Sequence, residues 1–135
     1  MGILKHAVLP LFAAVHAGIV GLYLSENLGW MKNYPDIYGA QSQIELHLLS
    51  IVAGSSLMMM FGCLIGILQE DSHFRGIIAV MNFGIFANEA YDSWFRDGFD
   101  PTLSTILTVI AGFGVIVHSN EPGFFTQDKA KKKDM

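Results

Sequence analysis

The sequence predicts an all-α fold, a four-transmembrane-helix antiparallel bundle, and three observations predict it. Apolar residues make up 52% of the 135-residue chain against 15% charged, and the mean hydropathy is +0.43, too apolar for an ordinary soluble domain of this size. Four apolar stretches of about 18–25 residues recur, each long enough at about 1.5 Å per residue for roughly 30 Å of hydrocarbon. Polar or turn-forming connectors separate them, short enough after the second span to make neighbouring helices antiparallel. This length holds one domain, read as a membrane bundle over 1–119 and a polar, Lys-rich tail over 120–135. The net charge of −4 is spread over loops, so no basic face suits nucleic acid. The single cysteine, Cys63, excludes an internal disulfide.

The first span covers 6–24. Pro10 falls near its start, where a missing N–H is tolerated. A cleaved signal peptide is the rival reading, since Lys5 precedes the apolar run and Ala17 is small, but His16 would sit badly at a cleavage region. The start MGILKH lacks the Ser or Thr at position 6 that myristoylation sites carry. Residues 25–43 form a turn-rich loop with Gly29, Pro35, Asp36 and Gly39. Its Trp30, Tyr34 and Tyr38 suit a membrane interface, and the loop is placed to cross the mouth of the bundle.

The second span, 44–68, is long enough to cross with tilt. Gly62 and Gly66 form a GxxxG pair that permits close helix approach. Met58–Met60 reads as lipid-facing or adaptable packing. After the connector Gln69–His73, the third span covers 74–95 and ends at RDGFDP, where Gly98 and Pro101 turn the chain. The fourth covers 102–119, with Gly112 and Gly114 for close contact. Four spans place both termini on one side. Lys5, Arg75, Lys129 and Lys131–Lys133 share that side against Lys32 and Arg96, so the termini are expected in the cytosol. There the ending KKDM resembles the dilysine signal that returns membrane proteins to the endoplasmic reticulum; a plain positive-inside tail produces the same lysines.

Chemistry concentrates in the third span, which carries Asn82, Asn88, Glu89 and Asp92 where lipid would demand hydrocarbon. An acid inside a span needs a protein or water partner. Residues at i, i+3, i+4 and i+7 share a face, so Asn82, Phe86, Glu89 and Asp92/Ser93 form a stripe flanked by Asn88. Glu89 lies about 9 Å inside the Phe95 end at about 1.5 Å per residue. Asn82 and Asp92 read as packing and edge groups. At the entry of the second span, Glu45 and His47 lie at about the depth of Glu89, and His47 with Glu89 would make a carboxylate–imidazole unit fit for acid/base work. His16, in mid-span with Val20 and Tyr23 continuing its face, should turn to the bundle interior. The catalytic candidates are therefore Glu89, His47 and His16, and the ligand-binding candidates Asn88, Asp92, Glu45 and Tyr23. The bland alternatives are an acid that fixes bundle register and an interfacial histidine bonding loop carbonyls.

No metal and no cofactor is expected. Four-helix di-metal sites use paired Glu-x-x-His motifs, and this chain has the spacing once, at Glu70–His73 in a connector. His16 and His47 differ in depth, which disfavours a bis-histidine haem. His6, His73 and His118 cluster near one edge without fixed geometry. No nucleophile elbow, P-loop or dinucleotide fingerprint occurs.

A short four-span chain with a long first lumenal loop and a polar third helix, carrying Gly84, Phe86 and Glu89 with Pro101–Thr102 after it, looks in outline like the DoxX-like proteins. The chain is also similar in outline to the small four-span scaffold of the endoplasmic-reticulum sterol C-4 demethylation complex, whose third helix and following turn these residues resemble. The sequence departs from that scaffold at the second helix, where QSQIELHLLS replaces an Ala-Arg-Thr-Phe-Gly run. The resemblance implies the four-span fold and an endoplasmic-reticulum setting. The leading expectation is a non-catalytic protein that scaffolds or assists a lipid- or sterol-metabolising assembly, with the bilayer and other membrane proteins as partners. The rivals are a small membrane enzyme or binder of an apolar ligand built on Glu89, His16 and His47, and an accessory subunit of an energy-transducing complex.

Overall fold

A computed structural model describes residues 2–27, 43–96 and 100–119, the side chains of 25–27 and 43–49 excepted. Among these residues the chain is all-helical. A π-helical segment, Leu4–Val8, runs into α1 (Leu9–Asn27), followed by α2 (Gln43–Leu68), α3 (Ser72–Phe95) and α4 (Thr102–His118). The first helix thus begins earlier than position 6, and Pro10 lies inside it. Proline cannot donate to the carbonyl four residues back and its ring crowds that carbonyl. The turn ahead of it is widened, with the Leu9 N–H bonding the Leu4 carbonyl, five residues back.

Each later boundary has a local cause. Asp71 caps α3, its Oδ1 accepting from the Phe74 N–H at 3.0 Å, which serves one of the unpaired donors of a helix start. Arg75 reaches back over the same turn. Its Nε donates to the Gly66 carbonyl at 2.7 Å and its Nη2 to the Gln69 carbonyl at 2.6 Å, satisfying carbonyls at and beyond the end of α2. Asp100 orders the entry to α4 by accepting from the Thr102 N–H at 3.0 Å and the Thr102 hydroxyl at 2.6 Å. Those two bonds hold the exposed Asp100 carboxyl below the ordinary aspartate range.

Leu4–Leu24 and Ser50–Leu68 are long and apolar enough to cross a membrane, and only 28% of each is buried. The core helix of a soluble protein would be mostly buried, so lipid is the natural cover for the remainder. Thr102–His118 is apolar but shorter. α3 is long, but its Asn82, Asn88, Glu89 and Asp92 dilute it below the other two. Bare apolar side chains run over all four helices, among them Met58 at 73% and Phe95 at 74% exposure. Water would penalise a surface of this extent.

The core is built from residues of every helix: Leu4, Val8, Leu9 and Phe12; Met59 and Cys63; Ile78, Ala79 and Phe86; Leu107 and Ala111. Glycines admit the neighbours. A Cβ at Gly62 would lie 2.9 Å from Ile78 Cδ1, at Gly66 3.0 Å from Leu9 Cδ1, at Gly112 3.2 Å from the Phe83 ring, and at Gly114 3.1 Å from Leu4 Cδ2. These small residues therefore serve contacts within the chain. Because Leu4–Phe12 fills the centre, cleavage of the first helix as a signal peptide would open the core, which argues for its retention.

Candidate functional site

Three polar side chains meet in the interior. His16 of α1 is 1% exposed and Asn82 of α3 is 0% exposed, and His16 Nε2 lies 2.8 Å from Asn82 Oδ1. The other end of the amide fixes the protons. Asn82 Nδ2 lies 2.9 Å from the Ile78 carbonyl, which only accepts. Nitrogen must therefore face that carbonyl, Oδ1 must face the histidine, and Nε2 carries the imidazole proton. The same Nδ2 makes a long contact of 3.5 Å with Cys63 Sγ of α2. One asparagine joins three helices.

This tautomer leaves His16 Nδ1 as a lone-pair acceptor, buried and without a hydrogen-bond partner among the described residues. Aromatic rings close the node. The Phe86 centroid is 5.6 Å from the His16 ring and 5.3 Å from Phe12. Chemically the node is a neutral imidazole held at a fixed angle in an apolar shell. It can accept a hydrogen bond or a proton at Nδ1, and it contains no carboxylate.

The other predicted residues lie elsewhere. His16 takes Asn82 as its partner, while Asn88 and Glu89 are exposed. Glu89 is nevertheless not free. It falls on the side of α3 that carries Ile78, about three turns away at about 3.6 residues per turn. Asp92 is half-buried at the rim, 3.6 Å from Arg96 one turn on. Tyr23 is half-buried and also engaged. Glu45 and His47 belong to the first turns of α2, and their side chains lie outside the described residues, as do Trp30, Tyr34, Tyr38 and the KKDM ending. Of the edge histidines, His6 is exposed, His73 half-buried and His118 buried. Among the described residues no three metal-binding side chains gather.

Sequence reasoning named Asn82 as packing and Cys63 only as a lone thiol. The one signal in the sequence for their pairing is that Asn82 and His16 each stand near the middle of an apolar stretch. No family model, curated protein or solved structure matches the chain.

Proposed function

We propose that the chain is a four-span antiparallel membrane bundle that acts without catalysis, by scaffolding or assisting a lipid- or sterol-type metabolic assembly in the endoplasmic reticulum. Its packing supports the antiparallel reading. Leu9 meets Gly66 and Phe74 borders the same glycine, Cys63 meets Asn82, and Trp94 Nε1 donates to Thr105 Oγ1 at 2.9 Å. Residue numbers thus rise along α1 and α3 while they fall along α2 and α4. The termini would lie in the cytosol, in keeping with Lys5 and Arg75 at one end and Arg96 at the other. The resemblance to the small four-span scaffold of the endoplasmic reticulum supports the compartment.

The observation that carries the docking role is the extent of bare surface on the helices, from Met58 and Phe61 on α2 to Val109 and Ile116 on α4, beside the outward Asn88 of α3. An amide on the lipid-facing side of a span is costly until protein covers it, whether a second copy or a different chain. Co-purification of the full chain from membranes in mild detergent tests this. The reading expects other membrane proteins of lipid or sterol metabolism to accompany it, whereas a chain recovered without them would contradict it.

A second reading, a binder or enzyme for an apolar ligand, is favoured by His16 Nδ1, a buried acceptor suited to a ligand hydroxyl. It uses Glu89 as acid/base with His16 and His47. It requires Glu89→Gln to abolish turnover at unchanged folded yield, and failure of that variant to accumulate would make Glu89 structural.

A further inference from the structure

The glycines read as points of close helix approach, Gly62, Gly66, Gly112 and Gly114, are filled from within the chain. A partner must therefore use another face, and α3 has one. Ile77, Met81, Gly84, Asn88, Tyr91 and Phe95 follow one another at intervals of four and three, the spacing of a heptad seam. All six are exposed. The core residues of α3, Asn82, Phe86, Ala90 and Ser93 among them, project from the opposite side of the helix at about 100° per residue. α4 meets the flank of α3 through Phe83 and Trp94, and the seam faces away from both.

The seam has a close-approach point and a polar group one turn apart. Nothing lies within 4 Å of where a side chain at Gly84 would begin. Asn88 makes no hydrogen bond to a described residue. At the end, Tyr91 and Phe95 pack ring to ring at 5.1 Å, with the Arg96 guanidinium 5.8 Å above the tyrosine, so the large side chains there are already ordered. Glu89 points about 100° away from Asn88 around the helix, which keeps the acid off the seam.

We propose that this seam is the surface on which a second copy of the same chain docks, α3 against α3, with the two Asn88 amides hydrogen-bonded across the two-fold axis. The proposal rests on the reading of α3 as a membrane span. Two copies inserted with one topology run parallel and hold each residue at the same depth. Asn88 then meets Asn88, and an amide, being both donor and acceptor, complements itself. A different protein would need a polar group placed independently at that depth. Gly84 lets the backbones approach, as small residues do in membrane helix pairs, and a single amide at a core position of the seam sets its register.

The test uses the full chain, alone, in phosphatidylcholine vesicles. On a Cys63→Ala background, oxidative cross-linking of Met81→Cys and Gly84→Cys is expected to be efficient, and that of Leu57→Cys on α2 and Ile106→Cys on α4 weak. Energy transfer between donor- and acceptor-labelled copies should be present. Asn88→Leu should weaken it by about tenfold in apparent Kd, the effect of an interhelical hydrogen bond of about 1–2 kcal/mol, and Asn88→Gln should restore part of it. Shielding of the native Cys63 from maleimide in otherwise unmodified chains reports that each Asn88 variant is folded. Absence of energy transfer in the unmodified chain, or cross-linking that favours Gly18→Cys or Gly21→Cys on α1, would overturn the proposal. Retention in vesicles after an alkaline wash reads membrane insertion separately. Co-purified membrane enzymes without self-association would leave the scaffolding reading standing and this one refuted.

Discussion

His16 and Asn82 stand 66 residues apart and meet at 2.8 Å in the centre of the helices. The contact joins the first helix to the third at a point where neither water nor lipid headgroup can substitute for it. A buried polar atom that loses its partner carries the full desolvation penalty, about 1–3 kcal/mol. Asn82→Leu and His16→Leu should each lower unfolding stability in detergent by about that amount. The double variant should lose clearly less than the two single losses combined, because no orphan remains. Strictly additive losses in a denaturant-unfolding cycle would show that the two side chains do not interact.

Cys63 is 0% exposed and touches Asn82 Nδ2. Its thiol should resist maleimide in the folded protein and react fully in denaturant. Asn82→Leu should speed the folded-state reaction by loosening the node. Rapid labelling of the native protein, followed by mass spectrometry, would place Cys63 outside the core.

The glycines divide into two classes. Gly62→Leu should destabilise the fold by about 1–3 kcal/mol through overpacking against Ile78. Gly21, which has nothing within 4 Å of a new Cβ, should gain about 0.5–1 kcal/mol on replacement by Ala, the ordinary helix-interior difference between the two residues. Thermal unfolding in one detergent compares them directly.

Asp100 supplies a pH dependence at the entry to α4. Its carboxyl is held below the usual aspartate range by the Thr102 hydroxyl and N–H. A group with a depressed folded-state pKa contributes stability that is present above its unfolded value, about 3.9. That contribution fades as pH falls through the lower folded value. Asp100→Asn should therefore lower stability at neutral pH and flatten its fall below about pH 4. An unchanged acid limb in pH-resolved thermal unfolding would remove Asp100 from the account.

Much of the helical plan was legible because it follows from hydropathy and punctuation. Pro101 stands directly before α4, and the apolar stretches at 44–68 and 74–95 closely match α2 and α3. The widened turn at Leu4–Val8 was not legible, since a proline ten residues in reads equally well as a tolerated first-turn residue. The site was less legible than the fold. Glu89 drew attention because a charge in lipid is the costliest feature of the sequence. Periodicity put Asn82 and Glu89 on one stripe without saying which rung faced α1. That choice belongs to the register between helices, set by Gly66 against Leu9 and Gly62 against Ile78. Such contacts are non-local, and a single sequence does not print them. Asn88, a flank of that stripe by spacing, became an outward group once the core side was known.

The spanning of α3 underlies the four-span bundle, the seam and the docking role alike. Single cysteines at Glu70 and at Asp100, on a Cys63→Ala background, flank this helix at its two ends. Labelling by a membrane-impermeant maleimide in sealed vesicles of known orientation reads their sidedness. The account predicts reaction at position 70 only from the face that also exposes Lys5, and at position 100 only from the other. Reaction of both from one face would mean that α3 does not cross the bilayer, and would contradict it.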